Sequence, residues 1–163
     1  MGTKLLSDNE ILTVAMNIEE NGYRFYNVVA KNSKQKETKM IFERLRDEET
    51  EHKKGFKEML ESLPNADSYD YFGINEEIAS YLRILVDTGV FKGMDDESIK
   101  KLNETRALEV GIQAERDTVL FFSAVQRSSV NPKAKDIMNA IIEVEKGHIV
   151  TLTNRLRVAR KLF

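Results

Sequence analysis

Apolar residues recur along this chain at three- and four-residue intervals, and nowhere do they alternate as a strand requires. From Asp8 to Lys31 the apolar positions Ile11, Leu12, Val14, Ala15, Ile18 and Phe25 fall on one helical stripe. A second helix is predicted from an N-cap at Ser33 to about Ser62, just short of Pro64. A third begins near Asp96, where Asp-Asp-Glu suits a helix N-terminus, and continues to about Arg127. Asn131-Pro132 then offers a cap followed by proline at the first helical position, and a fourth helix runs nearly to the end. Residues 63–95 join the two helical pairs. This stretch holds a short helix, Glu76 to about Val86, with apolar Ile78, Tyr81, Leu82, Leu85 and Val86, and further apolar surface at Tyr69, Tyr71, Phe72 and Phe91. We read it as a strap packed on the outside of a bundle, with a dimer contact as the alternative.

The expected fold is therefore all-α, a four-helix bundle in one domain. It consists of a hairpin over 8–62, a long crossover over 63–95 with its short extra helix, and a second hairpin over 96–163. The second hairpin repeats the first at an offset of 96 residues: Val14 matches Val110, Phe25 matches Phe121, Lys39 matches Lys135 and Ile41 matches Ile137. A duplicated hairpin explains the match.

The same offset organises the chemistry. The chain has two histidines, and each stands three residues after a glutamate, in Glu49-Thr-Glu-His52 and Glu145-Lys-Gly-His148. Thirty residues before those glutamates stand Glu19 and Glu115. The midpoint of Glu19 and Glu49 is residue 34, in the first predicted turn, and that of Glu115 and Glu145 is residue 130, in the second. In both hairpins the paired glutamates thus sit about 15 residues, or roughly 22 Å, from the turn, at one level of the bundle. His52 and His148 follow one helical turn on. Four carboxylates and two imidazoles converging in this way form the ligand set of a two-metal carboxylate site.

Charge supports two ions, because four ionised glutamates in a bundle core need countercharge and two divalent cations supply it. Glutamate and histidine suit iron first, with manganese or zinc as alternatives. Six side chains shared by two metals leave coordination positions open, which suits reactivity better than a closed structural site. Tyr26 lies two turns after Glu19 on the same face. It is placed to hydrogen-bond a ligand or donate an electron, although its repeat mate Phe122 equally allows an ordinary core position. Glu20, Glu48, Glu51 and Glu143 are read as solvent-facing or as neighbours of the ligands, with no role assigned.

Composition narrows the field. The net charge of −2 carries no nucleic-acid footprint. The short cationic end, Arg155, Arg157, Arg160 and Lys161, is read as complementing a helix dipole. The absence of cysteine removes disulfides, thiolate catalysis and cysteine-bound metal centres from this chain. No apolar run approaches transmembrane length, and the first ten residues lack the apolar stretch of a signal peptide, so no membrane association and a cytoplasmic location are expected.

The fragments Ala15-Met-Asn-Ile-Glu19-Glu-Asn-Gly22-Tyr-Arg-Phe-Tyr26, Glu49-Thr-Glu-His52, Glu115-Arg-Asp-Thr-Val-Leu-Phe-Phe122 and Glu145-Lys-Gly-His148 resemble the ferritin-like di-iron carboxylate superfamily, and within it rubrerythrin-like proteins. The resemblance implies two irons bridged by Glu49 and Glu145. Glu19 with His52 and Glu115 with His148 would be their terminal ligands. It implies an oxidoreductase acting on hydrogen peroxide or oxygen and re-reduced by an external electron donor; separately, a homodimer is expected of a helical chain of this kind. A ferroxidase or iron-handling protein is the alternative within the same chemistry, and a metal-stabilised helical binding module without turnover is the alternative outside it. The chain departs from rubrerythrins proper in two ways. Their further glutamate, three residues after the third-helix ligand, is here Thr118, and their cysteine-bound rubredoxin centre has no counterpart. Bacterioferritins place a haem-binding methionine where this chain has Thr50, so no haem is expected.

Overall fold

The computed structural model describes residues 6–65, 67–69 and 71–161. Its helices are α1 (Asp8–Asn32), α2 (Lys36–Ser62), α3 (Glu76–Asp87), α4 (Asp96–Lys100), α5 (Glu104–Ser128) and α6 (Pro132–Lys161). No strand occurs among the described residues, and none of their helices is long and apolar enough to cross a membrane.

Hairpins α1–α2 and α5–α6 make the bundle, with their turns at opposite ends. At the end holding the first turn, Arg155 of α6 donates to Thr38 Oγ1 of α2 at 2.7 Å and to Glu104 Oε1 of α5 at 2.8 Å, and Thr38 also bonds Glu104. This nearly buried network ties the two hairpins together. Arg155 therefore has a specific partner and is more than a counter-charge for a helix dipole. Arg160, near the end of α6, pairs at the surface with Glu109 at 2.8 Å.

Two boundaries differ from expectation. Ser33 closes α1 instead of opening α2, its N–H reaching Ala30 O. α2 starts at Lys36 behind Gln35, whose side chain makes no cap bond. The expected helix from Asp96 is two helices. Asn103 interrupts it in an extended conformation and accepts the Arg106 N–H at 2.8 Å, starting α5 afresh. Asparagine competes for nearby backbone donors in this way, which disfavours it inside helices and favours it at caps. The short α4 turns aside onto α1, where Asp96 pairs with Arg24 at 2.6 Å and Ile99 is buried.

The crossover packs as an outer strap. Phe72, Ile74, Ala79 and Leu82 are buried against the bundle. Its start is held by Asp8, a buried carboxylate in the first turn of α1 that accepts Ser68 Oγ (2.5 Å), Tyr71 N (3.1 Å) and Phe72 N (3.0 Å). Gly73 has φ 63°, and a Cβ there would stand 3.1 Å from the Ser128 carbonyl, so only glycine allows the strap to pass so close to the end of α5.

The apolar core is in two parts. One cluster, with Ile11, Leu12, Phe56, Phe122 and Met138, fills the end where α1 starts. The other, with Phe25, Phe42, Leu45, Leu108 and Leu152, fills the opposite end. Between them, at mid-height, lies a belt of buried charge.

Candidate metal centre

That belt consists of the six residues singled out by the repeat. Glu19, Glu49, Glu115, Glu145 and His148 are all at most 4% exposed, and His52 is half-buried. α1 and α5 contribute one glutamate each, while α2 and α6 each contribute a glutamate and, one turn on, a histidine on the same helical face. Both histidines turn Nδ1 inward. His52 Nδ1 is 2.9 Å from Glu145 Oε1 and 3.4 Å from Glu19 Oε2. His148 Nδ1 is 2.8 Å from Glu145 Oε2 and 3.2 Å from Glu115 Oε1. The two rings lie 6.2 Å apart, nearly parallel.

The donor atoms form two overlapping groups, Glu19, Glu49, His52 and Glu145, and Glu49, Glu115, Glu145 and His148, each with its donors within 4.8 Å of one another. Glu49 and Glu145 belong to both, the position a bridging carboxylate occupies between two ions. Both carboxylate oxygens of Glu19, both of Glu145, and His52 Nδ1 are buried and make no well-aligned hydrogen bond, although the imidazoles approach Glu145 to 2.8 and 2.9 Å. Buried polar atoms are normally paired, and an unpaired carboxylate is especially costly. A donor set of hard carboxylates and imidazole nitrogens, several of them without an aligned hydrogen bond, fits two borderline-hard divalent cations.

The protonation pattern points the same way. Burial, with Glu19 and Glu145 close by, pushes Glu49 well above the usual carboxylate range. Burial and the charge of Glu145 push Glu115 up to about 8, against the pull of His148. Burial would also raise Glu145, but the close imidazoles of His148 and His52 outweigh it and hold Glu145 below the usual range. Burial disfavours both imidazolium ions. The facing carboxylates prevail, raising His52 to about 10 through Glu145 and Glu19, and His148 to about 11 through Glu115 and Glu145. Protons thus balance the charge of the carboxylates, a task two divalent cations would also perform.

Tyr26 is fully buried and donates its hydroxyl to Glu115 Oε1. Burial and the charges of Glu115 and Glu49 keep the phenol protonated far into the alkaline range. Its repeat mate Phe122 instead packs against Phe56 with the rings tilted, in the apolar cluster, so the pseudo-symmetry breaks at this pair. It breaks again at Glu48, whose Oε2 lies on His148 Nε2, the ring nitrogen facing away from the other carboxylates. That contact orients the imidazole, and a sequence reading that left Glu48 without a role misses it. The available signal was asymmetry, because the repeat mate of Glu48 is Val144. Glu20 and Glu143 are at the surface, paired with Lys53 and Lys146, and Glu51 is exposed. Gly22 makes room for the centre, since a Cβ there would stand 3.2 Å from Glu49 Cδ.

A ferritin-like helical bundle with buried, overlapping Glu/His groups at mid-height defines the class of di-metal carboxylate proteins. The rubrerythrin family model matches residues 10–155, and the chain belongs to that family. A crystal structure from Thermotoga maritima, of a protein provisionally named a ferritin-like diiron-carboxylate protein, superposes with a TM-score of 0.68 at 26% identity, over 94% of this chain and 96% of that one. No curated protein matches the chain.

Proposed function

We propose that this chain is a non-haem di-iron oxidoreductase that reduces hydrogen peroxide or oxygen and draws its electrons from an external donor. The observation that carries the reading is the pair of overlapping donor groups, buried at mid-height and sharing Glu49 and Glu145. Glu19, Glu49, His52 and Glu145 would hold one iron, and Glu49, Glu115, Glu145 and His148 the other. Two iron(II) ions, when bound, supply the two electrons that, with two protons, convert one hydrogen peroxide to two waters.

The chain's own residues prepare that chemistry. Six side chains shared between two metals leave coordination positions free for an oxidant. The apolar clusters above and below exclude water from mid-height. The Tyr26 hydroxyl holds a proton against Glu115 Oε1 and is the redox-capable side chain in direct contact with the centre. Glu48 fixes the His148 ring through Nε2, leaving Nδ1 for the metal.

One observation favours a second reading within the same chemistry. Glu48 reaches His148 from a shallow depression on α2 lined by Glu43, Asp47 and Glu51, with Arg44 beside Glu48 at 3.8 Å. Carboxylates leading inward suit a ferroxidase that takes up ferrous iron from solution.

The test is an anaerobic iron(II) titration of metal-free protein, closed by one addition of hydrogen peroxide while near-ultraviolet absorbance is followed. Two irons per chain, and one peroxide consumed per two irons, are expected. Glu49→Gln and Glu145→Gln should lose both. Two irons inert to peroxide would refute the redox reading. Continued oxidation of iron beyond two per chain would select the ferroxidase.

A further inference from the structure

The strap does not lie flat against the bundle. Between α1, α5 and the segment from Leu85 to Asp95 it encloses a half-open cavity of about 560 Å³. This volume falls in the range of small-molecule sites. Its floor is built by Ile18 and Asn21 of α1 and by Ala114 and Thr118 of α5. Ile18 and Ala114 directly precede Glu19 and Glu115, and Thr118 stands one helical turn after Glu115. Thr118 therefore belongs both to the cavity and to the turn of α5 that carries a glutamate of the centre.

The walls select the occupant. Val90, Phe91 and Phe121 make them apolar, with two aromatic rings. Of the charged groups around the cavity, Lys92 is exposed at the rim, 3.9 Å from Asp87, and the others are engaged in closer bonds. Arg24 bonds Asp96 (2.6 Å) and the Met94 carbonyl (2.9 Å), Asp117 accepts Val90 N (3.3 Å) and Gln113 Nε2 (2.9 Å), and Asp95 caps α4. An anion would have to displace Asp96 from Arg24 or settle at the exposed rim beside Lys92, and a cation would have to share Asp117 with the Val90 amide and Gln113. Two neutral polar groups remain, the Asn21 amide and the Thr118 hydroxyl. The hydroxyl donates to the Ala114 carbonyl at 3.0 Å, so towards the cavity it acts as an acceptor. Asn21 is exposed and can be met by water, so Thr118 Oγ1 is the acceptor on the floor, and an apolar molecule with one donor suits the site.

We propose that this cavity binds a neutral molecule of one or two rings bearing a hydroxyl, which donates to Thr118 Oγ1. The molecule then sits one helical turn from Glu115, on the side of the metal centre facing the strap. Binding itself needs no metal, whereas proximity to a metal rests on the di-metal reading above.

The probes are 4-fluorophenol and fluorobenzene, followed by fluorine NMR on the metal-free protein. Saturable broadening of both is expected, with fluorophenol the tighter. Val90→Trp fills the cavity from the strap side, where Val90 is half-buried at the edge of the core, and should abolish both. Thr118→Val keeps the shape and should weaken fluorophenol about three- to tenfold while leaving fluorobenzene unchanged. Unaltered thermal midpoints show that both variants fold. No saturable binding, or binding indifferent to Val90→Trp, would overturn the proposal. Manganese(II) added to the wild-type complex should then broaden the bound fluorine line paramagnetically. Two bound manganese ions without that broadening would overturn the placement beside the centre. If manganese does not bind, the metal-free titration still decides the cavity, and the iron(II) titration above decides the di-metal reading.

Discussion

Replacing Gly22 by alanine should move the metal-free and metal-loaded proteins in opposite directions. Gly22 lies inside α1, where glycine costs about 0.5–1 kcal/mol relative to alanine. The new Cβ would stand 3.2 Å from Glu49 Cδ and 3.4 Å from its Cγ and Oε1, a few tenths of an ångström too close. In the metal-free protein, Glu49 is the far end of a flexible side chain and can give way. Most of the helical gain is then realised, and the melting temperature should rise by about 1–4 °C for a domain of this size. With metal bound, the same carboxylate would be fixed between two ions and could not retreat without lengthening its bonds. Metal affinity should therefore fall, and the rise in melting temperature on loading should shrink. The assay is differential scanning calorimetry of wild type and Gly22→Ala, metal-free and after anaerobic loading with iron(II), with the metal content measured. A metal-free variant less stable than wild type would show that Glu49 is held rigidly by the protein alone. Unchanged metal affinity would show that Glu49 does not bridge. Either result refutes the reasoning.

Three further outcomes follow from the same geometry. Glu48→Gln should weaken metal binding in the His148 group by about 10–100-fold, the usual effect of losing a histidine's outer partner. It should leave the His52 group nearly intact, so a single-phase titration becomes two-phase; weakening of both groups together would count against the assignment. Loading should release protons, because His52 and His148 carry theirs to about pH 10 and 11 and Glu115 to about 8. Metal and protons compete for the same atoms, so affinity should rise with pH, and calorimetry in two buffers of different ionisation heat counts the protons; uptake indifferent to pH between 6 and 8 would contradict it. Asp8→Ala removes the acceptor for Ser68 Oγ, Tyr71 N and Phe72 N and leaves the buried Phe72 amide unpaired, at a cost on the order of 2–4 kcal/mol. Melting should fall by roughly 5–10 °C, with hydrogen exchange fastest at Phe72; a fall under 2 °C would mean the strap is held by its apolar contacts alone.

The helices and the six converging side chains were legible in the sequence because both depend on spacing along one chain. Apolar periodicity fixes which face of a helix is buried, and equal distances from a turn fix which residues of a hairpin share a level. An offset of 96 residues carried the first half's reading over to the second. Local capping was only partly legible. Asn103 had the chemistry to start a helix, but the Asp-Asp-Glu cluster before it offered an equally good start, and the chain uses both. What the tertiary structure decided depends on how helices distant in sequence are rotated and placed against one another. Glu48 precedes Glu49, so it points about 100° away round α2. Only the packing of α2 beside α6 makes that direction His148 instead of solvent. Arg155 reads as a cation at a helix end until the opposed hairpins bring Glu104 and Thr38 beneath it. Asp8 reads as a first-turn acid until the strap returns its backbone amides to that carboxylate. The cavity above Thr118 is a gap between a strap and two helices, and no segment of the chain encodes it alone.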